Sequence, residues 1–449
     1  KTPAVVMELL VVIADLDLEE KQGQRYTEFL AGMSQSEMLA SVNDHPGWIQ
    51  RGIVVAATGI EGLLAEAVLE KQDSKGSPLV ADLLQQLCRR AGASGDEENL
   101  LEIIKAIHSR DASGQEEGTI RLLAACRLGE IESGKMTLLE SIEQMDDAWR
   151  EGVQKTIKGG IGSESPIDLK VASVHLSELF SPELLVAEAE QLISVNEAPR
   201  VRAAAVKALA RQGNDAAVDL FIEKVNLSPP DTQALIIIEI FRRTAWTQRL
   251  LHEIRAGVLP RTLVTLSRQR SLQQHPDAGV KEIAIELYAG STNRDREGVI
   301  ERYLEALALK GSADRGSEIF KSECTACHRY GALGHDVGPN LSAYGRGETS
   351  PEGFLRNILD PNRNVPADYM EYSAVLTDGR IIAGLLRDPT PTSVTFRRDK
   401  TESVVVARAR IEEVKSTGKS FMPEGLEKKI TVQQMADLLA FLARVQQRL

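Results

Sequence analysis

The residues best suited to chemistry stand together at 324–328, where the chain reads Cys-Thr-Ala-Cys-His. Two thiols three positions apart with an imidazole directly after them form the attachment signature of c-type haem. The thiols make thioethers with the vinyl groups, and the histidine is held where it can ligate the iron. Half of a zinc site is the main rival, but zinc needs a second ligand pair at comparable spacing. The remaining cysteines, Cys88 and Cys126, lie far upstream on apolar helix faces and are expected to be buried thiols. A thioredoxin-like redox pair would need a strand–helix–strand setting, whereas the segment before Cys324 reads as helix. His45, His108, His175 and His252 are isolated on helical patterns or at their starts and are expected to be structural. No glycine-rich phosphate loop, serine nucleophile elbow or HExxH pair occurs.

The elements around this motif must hold it. ADRGSEIFKSECTACH reads as a short helix with Asp314 near its start and with Gly316 and Phe320 on one face. GHDVGPNL follows, then a helical SPEGFLRNIL. SFMPEGL precedes a last helix, VQQMADLLAFLARV, in which Leu438, Leu439, Phe441 and Leu442 make an apolar stripe. This order resembles class I cytochrome c. The resemblance implies that Cys324 and Cys327 hold one covalent haem c and that His328 is the proximal ligand. It also implies that the Pro339 carbonyl orients the imidazole and that Met422 is the distal ligand. Met370 and His335 are the alternatives for the sixth position; the first starts a strand and is expected in a core, the second is expected at the surface.

Met422 lies 94 residues after His328, a long gap for a small haem domain. The segment 368–415 accounts for it, because YMEYSAVLT, an Asp378-Gly379 turn, RIIAGLLRD, SVTFRRD and ESVVVARARIEEVK alternate like strands.

Upstream the pattern is helical. Pro166, Pro199, Pro229 and Pro260 recur at spacings of 33, 30 and 31 residues, a period suited to helix pairs. In the clearest unit, PRVRAAAVKALARQG buries Val201, Ala205, Ala208 and Leu209 and ends at Gly213. DAAVDLFIEKV then begins with Asp215 as N-cap. Arg200 and Arg202 are expected to bond between repeats. These residues resemble the HEAT-like repeat. The expected architecture is therefore mainly α: a HEAT-like helical-repeat solenoid over 1–294, a connecting helix over 295–310, and a class I cytochrome c-like domain over 311–449 with a β-rich insertion at 368–415. Together, VIERYLEALALKGSADRG leading into CTACH, then GPNL, ILDPNRNV, LTDGRIIAGLL and FMPEGL, look like the haem domain of PVC-type CxxCH proteins. That family often carries a dehydrogenase-like β-propeller ahead of both regions, which here would lie before Lys1.

Composition narrows the function. Aromatic residues are 4% of the 449, which suits stacked helices better than a large β-sandwich. The net charge of −12 disfavours nucleic acid as a partner, since phosphate binding needs clustered excess Lys and Arg. The acidity is uneven: residues 1–310 hold 34 Lys and Arg against 47 Asp and Glu, residues 311–449 hold 19 against 18. No membrane-spanning run is present, and no signal peptide is visible at Lys1. The expected function is electron transfer through a His328/Met422-ligated haem. The donor would be a redox partner, a sugar or alcohol dehydrogenase, associated or fused and docked on the repeats. The resemblance implies haem attachment outside the cytoplasm, so the expected location is the periplasm or an equivalent extracytoplasmic compartment. Two alternatives stand beside it: a peroxidase-like haem enzyme with a labile sixth ligand, and a structural or interaction solenoid stapled by haem.

Overall fold

Helix pairs make up most of the molecule in the computed structural model, which describes residues 28, 31, 48–70, 78–112, 114–162, 164–288, 294–343, 350–387, 390, 392–400 and 402–444. The chain divides into two compact units, residues 1–189 and 190–449. The helical pairs from Pro199 onward thus share a compact unit with the CxxCH region, and the expected borders at 294 and 310 do not coincide with the division.

The first unit contains α1 (Trp48–Ala56), α2 (Glu61–Glu70), α3 (Pro78–Ser94), α4 (Glu97–Arg110), α5 (Glu117–Ser133), α6 (Leu138–Glu143), α7 (Asp147–Gly160) and α8 (Ile167–Phe180). Glycines set its tightest crossing. A Cβ at Gly92 would lie 2.1 Å from the Cys126 carbonyl oxygen, and one at Gly129 would lie 1.9 Å from that of Arg89, so α3 and α5 pack backbone against backbone. Cys88 and Cys126 are buried there as free thiols, as expected. His108 meets the edge of buried Trp149 and pairs with Asp146 at 2.6 Å, and His175 is buried. His45 lies outside the described residues.

After α9 (Pro182–Leu192) come α10 (Pro199–Gln212), α11 (Asp215–Lys224), α12 (Pro230–Ile240), α13 (Thr244–Arg255), α14 (Leu266–Gln273) and α15 (Ala278–Tyr288). Pro199 occupies the first turn of α10, and Gly213 closes it in the left-handed region at φ 69°. The N-cap of α11 is Asn214 rather than Asp215: the Asn214 side chain accepts from the Ala217 N–H at 2.9 Å, which leaves Asp215 as the first helical residue. Arg202, fully buried, joins α10 to α12 through Nη2 to both Asp231 oxygens (2.7 and 3.0 Å) and Nε to Thr232 (2.7 Å); Arg200 lies on the exposed side.

The same unit continues through α16 (Arg294–Leu304), α17 (Ala313–Glu323), α18 (Pro351–Leu359), a five-stranded antiparallel sheet, and α19 (Val432–Ala443). The strands are β1 (Met370–Leu376), β2 (Ile381–Arg387), β3 (Ser393–Arg397), β4 (Ser403–Ala407) and β5 (Ile411–Ser420), in the order β4-β3-β2-β1-β5. Gly379 makes the first turn at φ 80°. ESVVVARARIEEVK is not one strand. A 3₁₀ turn at Arg408–Arg410 breaks it, because β4 pairs with β3 at one edge whereas β5 must cross to β1 at the other. β5 also runs on to Ser420, past the expected end of the insertion at 415. The inner face of the sheet (Tyr372, Ala374, Val394, Phe396, Val414) closes over Val195, and three bonds tie it to the helical pairs. Tyr372 OH donates to Gln233 Oε1 (3.3 Å), Asn196 Nδ2 to the Ile411 carbonyl (3.4 Å), and Thr262 Oγ1 to the Gly418 carbonyl (2.8 Å). No described helix is long and apolar enough to cross a membrane.

Candidate functional site

Two crossing helices frame the site. A Cβ at Gly316 of α17 would sit 2.0 Å from the Asp437 carbonyl oxygen of α19, and one at Gly311 would sit 2.2 Å from that of Ala436. Only glycine lets the helices approach this closely. Phe320, on the same face as Gly316, packs 5.5 Å from Phe441 and 5.6 Å from Tyr330, and the Tyr330 hydroxyl donates to the Phe441 carbonyl at 2.9 Å. Sequence reasoning missed Tyr330; its signal was an aromatic placed two residues after CxxCH. Helix α16 joins this core through Ile300 and Tyr303, and Ala306 joins it from the 3₁₀ turn that follows. Thr431 starts α19 with a capping box to Gln434, which fixes where the last helix begins.

Helix α17 ends at Glu323, and the Cys324 and His328 N–H groups keep its last turn in register by bonding to Phe320 and Cys324. Cys324 and Cys327 are half-buried free thiols. Burial, with Glu323 and Cys327 adding to it, pushes Cys324 up to about 12, and burial with Asp399 nearby also raises Cys327. Both are thus protonated at neutral pH, and no cluster of three His, Cys, Asp or Glu able to hold a metal ion occurs among the described residues. The further ligands that a zinc site needs are therefore not assembled around this pair among the described residues.

The His328 imidazole is fixed from the other side. Its Nδ1–H donates to the Pro339 carbonyl at 2.8 Å, which leaves Nε2 to face a metal. Burial holds the ring below the usual histidine range, against the opposing pull of the Pro339 bond, so it is neutral and able to ligate. Gly338 is glycine for a visible reason, since a Cβ there would lie 2.7 Å from His328 Cε1. Gly334, at φ 81°, leaves the same room beside the His328 carbonyl. The Val337 and Gly338 N–H groups both bond back to the Cys327 carbonyl at 3.0 and 2.7 Å, closing the loop onto the motif.

The other candidates separate clearly. Met370 is buried in the sheet, where its sulfur accepts from Ser416 Oγ at 2.6 Å, and His335 is exposed, both as expected. Met422 is half-buried in the loop after β5, with its N–H on Ser420 Oγ at 3.1 Å.

Residues 311–375 match the family model described as cytochrome C oxidase, cbb3-type, subunit III. The chain is also similar to cytochrome c of Stellaria longipes, 31% identical over 104 residues that cover 96% of that protein and 21% of this chain. The chain belongs to the cytochrome c family. It is also similar to cytochrome c of Ulva intestinalis, 33% identical over 82 residues, covering 72% of that protein and 17% of this chain. Membership of the cytochrome c family implies a covalently bound c-type haem with its iron, and with it haem-based electron transfer. The residues present fit that group: two protonated free thiols, a neutral imidazole with Nδ1 already bonded, and a glycine where any side chain would strike the ring.

Proposed function

We propose that this cytochrome is a single-electron carrier whose iron lies between His328 and Met422. The observation that carries the reading is the Nδ1–H bond from His328 to the Pro339 carbonyl, which fixes tautomer and ring direction before any metal arrives. When bound, the haem supplies a one-electron centre. The chain's residues do the rest. Cys324 and Cys327 tether the group, the Phe320–Tyr330–Phe441 cluster holds α17 and α19 together, and the loop after β5 presents the Met422 thioether. Two protein ligands leave no open coordination position, which favours electron transfer over peroxidase-like chemistry. The test is the ferric spectrum of the loaded protein and of Met422→Ala: a sulfur-to-iron charge-transfer band in the first and its loss in the second are expected, and a high-spin wild type would move the assignment to the enzyme.

The helical pairs form the HEAT-like region of a PVC-type protein, and they receive the electron donor, a sugar or alcohol dehydrogenase, in the periplasm. What supports this is the charge: residues 1–310 hold 34 basic against 47 acidic residues, while residues 311–449 are near neutral. A basic donor should reduce the haem at a rate that falls steeply with added salt. A salt-independent rate removes the docking idea.

A further inference from the structure

The β-sheet reaches both loops of the haem site. On one side, Arg387 at the end of β2 donates through Nη2 to the Val337 carbonyl at 3.3 Å, and Arg397 at the end of β3 donates through Nη1 to the Asp336 carbonyl at 3.1 Å. These carbonyls belong to the stretch that runs on through Gly338 to Pro339, the acceptor of the His328 bond. On the other side, the Arg387 guanidinium stacks over the Tyr369 ring, 5.1 Å from its centroid, and the Tyr369 carbonyl accepts the Phe421 N–H at 3.0 Å. Phe421 precedes Met422. Asn362 reinforces the same loop: its Oδ1 accepts from the Ser420 N–H at 2.7 Å and its Nδ2 donates to Glu424 at 2.5 Å. One half-buried side chain therefore touches the support of the histidine loop directly and that of the methionine loop through one aromatic ring.

We infer that Arg387 is a positioning residue, a brace that ties the loop orienting His328 to the loop presenting Met422, so that the sheet holds both axial positions in one register. The inference rests on the proposed His328/Met422 ligation. The physical case is that Arg is suited to both contacts at once: its planar group stacks on an aromatic face while an in-plane N–H still meets a carbonyl. A neutral side chain of similar length would keep at most one of them.

Hydrogen exchange on the haem-loaded full chain tests the brace, because each loop carries its own reporters. The Val337 and Gly338 amides bond to the Cys327 carbonyl, and the Phe421 amide bonds to Tyr369. In Arg387→Gln, exchange should rise about five- to tenfold in both windows, the scale of one lost hydrogen bond, with α18, β1 and α10 unchanged. Arg387→Lys, which keeps a cation but loses the planar group that serves both contacts, should restore the protection only in part. Tyr369→Leu should loosen the same two windows, and the double variant should add little, since the residues act as one link. Imidazole should also bind the ferric iron of Arg387→Gln about tenfold more tightly, a readout that general destabilisation does not move. A response confined to one window, a rise spread through the sheet, additive single variants or unchanged imidazole affinity overturns the brace. The wild-type ferric spectrum reports Met422 ligation separately, so failure of that reading and failure of the brace give different results.

Discussion

Placing alanine at Gly316 and at Gly298 makes the same chemical change in two helices of one compact unit, and the two should move stability in opposite directions. Gly298 lies on the exposed face of α16 with nothing within 4 Å of a Cβ built there. Alanine at that position gains helix propensity and stabilises by about 0.5–1 kcal/mol. At Gly316 the same methyl would meet the Asp437 carbonyl oxygen at 2.0 Å, the Asp437 carbonyl carbon at 2.5 Å and Phe441 Cβ at 2.8 Å. Two of those atoms are backbone in the middle of α19, so no rotamer change relieves the contact and the helices must separate by more than about 1 Å to restore ordinary packing. Overpacking of this kind costs about 1–3 kcal/mol, and separation also loosens Phe320 against Phe441. After the same propensity gain, Gly316→Ala should be destabilised by up to about 2 kcal/mol, and because that gain is common to both, the two variants should differ by the overpacking cost, about 1–3 kcal/mol. All three tryptophans, Trp48, Trp149 and Trp246, precede this region, so guanidinium unfolding of the loaded protein is best followed by haem absorbance. Equal midpoints for the two variants would falsify the claim that Gly316 is there for a helix crossing.

Other outcomes follow from buried charge. Arg202→Met should cost about 2–4 kcal/mol, because Arg202 is fully buried and bonds to Asp231, Thr232 and the Glu197 carbonyl; an unchanged thermal midpoint refutes this. Arg408→Met should instead be neutral or stabilising: Arg408 is 3% exposed, its Nη1 and Nη2 have no hydrogen-bond partner among the described residues, and burial followed by Arg202 lowers it to about 10. A loss as large as that of Arg202→Met would show that Arg408 has a partner the contacts do not reveal. At Asp437, burial pushes the carboxyl up, but Arg315, the Ser312 N–H and Gln433 outweigh it and hold it below the usual range. Its contribution is therefore complete above the unfolded value of about 3.9 and is lost as pH falls through the lower folded value. Asp437→Asn should be less stable than wild type by about 1 kcal/mol at pH 7, and the gap should close below about pH 4; a gap independent of pH contradicts the assignment.

How much of this could be read in advance depended on whether a residue's neighbours lie close in sequence. CxxCH, the apolar stripe of α19, the cap at Gly213 and the Asp378-Gly379 turn are local, and each has one conformation that its residues favour. Gly316 and Phe320 were legible as a face because four residues make about one helical turn, although the helix that face crosses lies more than 110 residues on. The N-cap of α11 shifted by one residue because Asn214 and Asp215 are both good caps and only backbone direction chooses between them. The break between β4 and β5 had no local sign. Val405, Ala407, Ala409 and Ile411 stand at every second position as in one strand, and only the need to serve opposite edges of the sheet forces the turn. Arg387 is the extreme case: in sequence it is, with Arg397, one of two arginines that end a described strand, and its meaning appears only when Val337 and Tyr369 arrive on either side of it. A residue that links two loops has no local pattern to announce it, because the constraint it satisfies belongs to neither loop alone. The β-rich insertion thus lengthens the path from His328 to Met422 in sequence while shortening it through hydrogen bonds, since β1 and β5 pair Met370 with Ser420 and bring the methionine loop to the start of β1, whose other neighbour, β2, holds Val337 through Arg387.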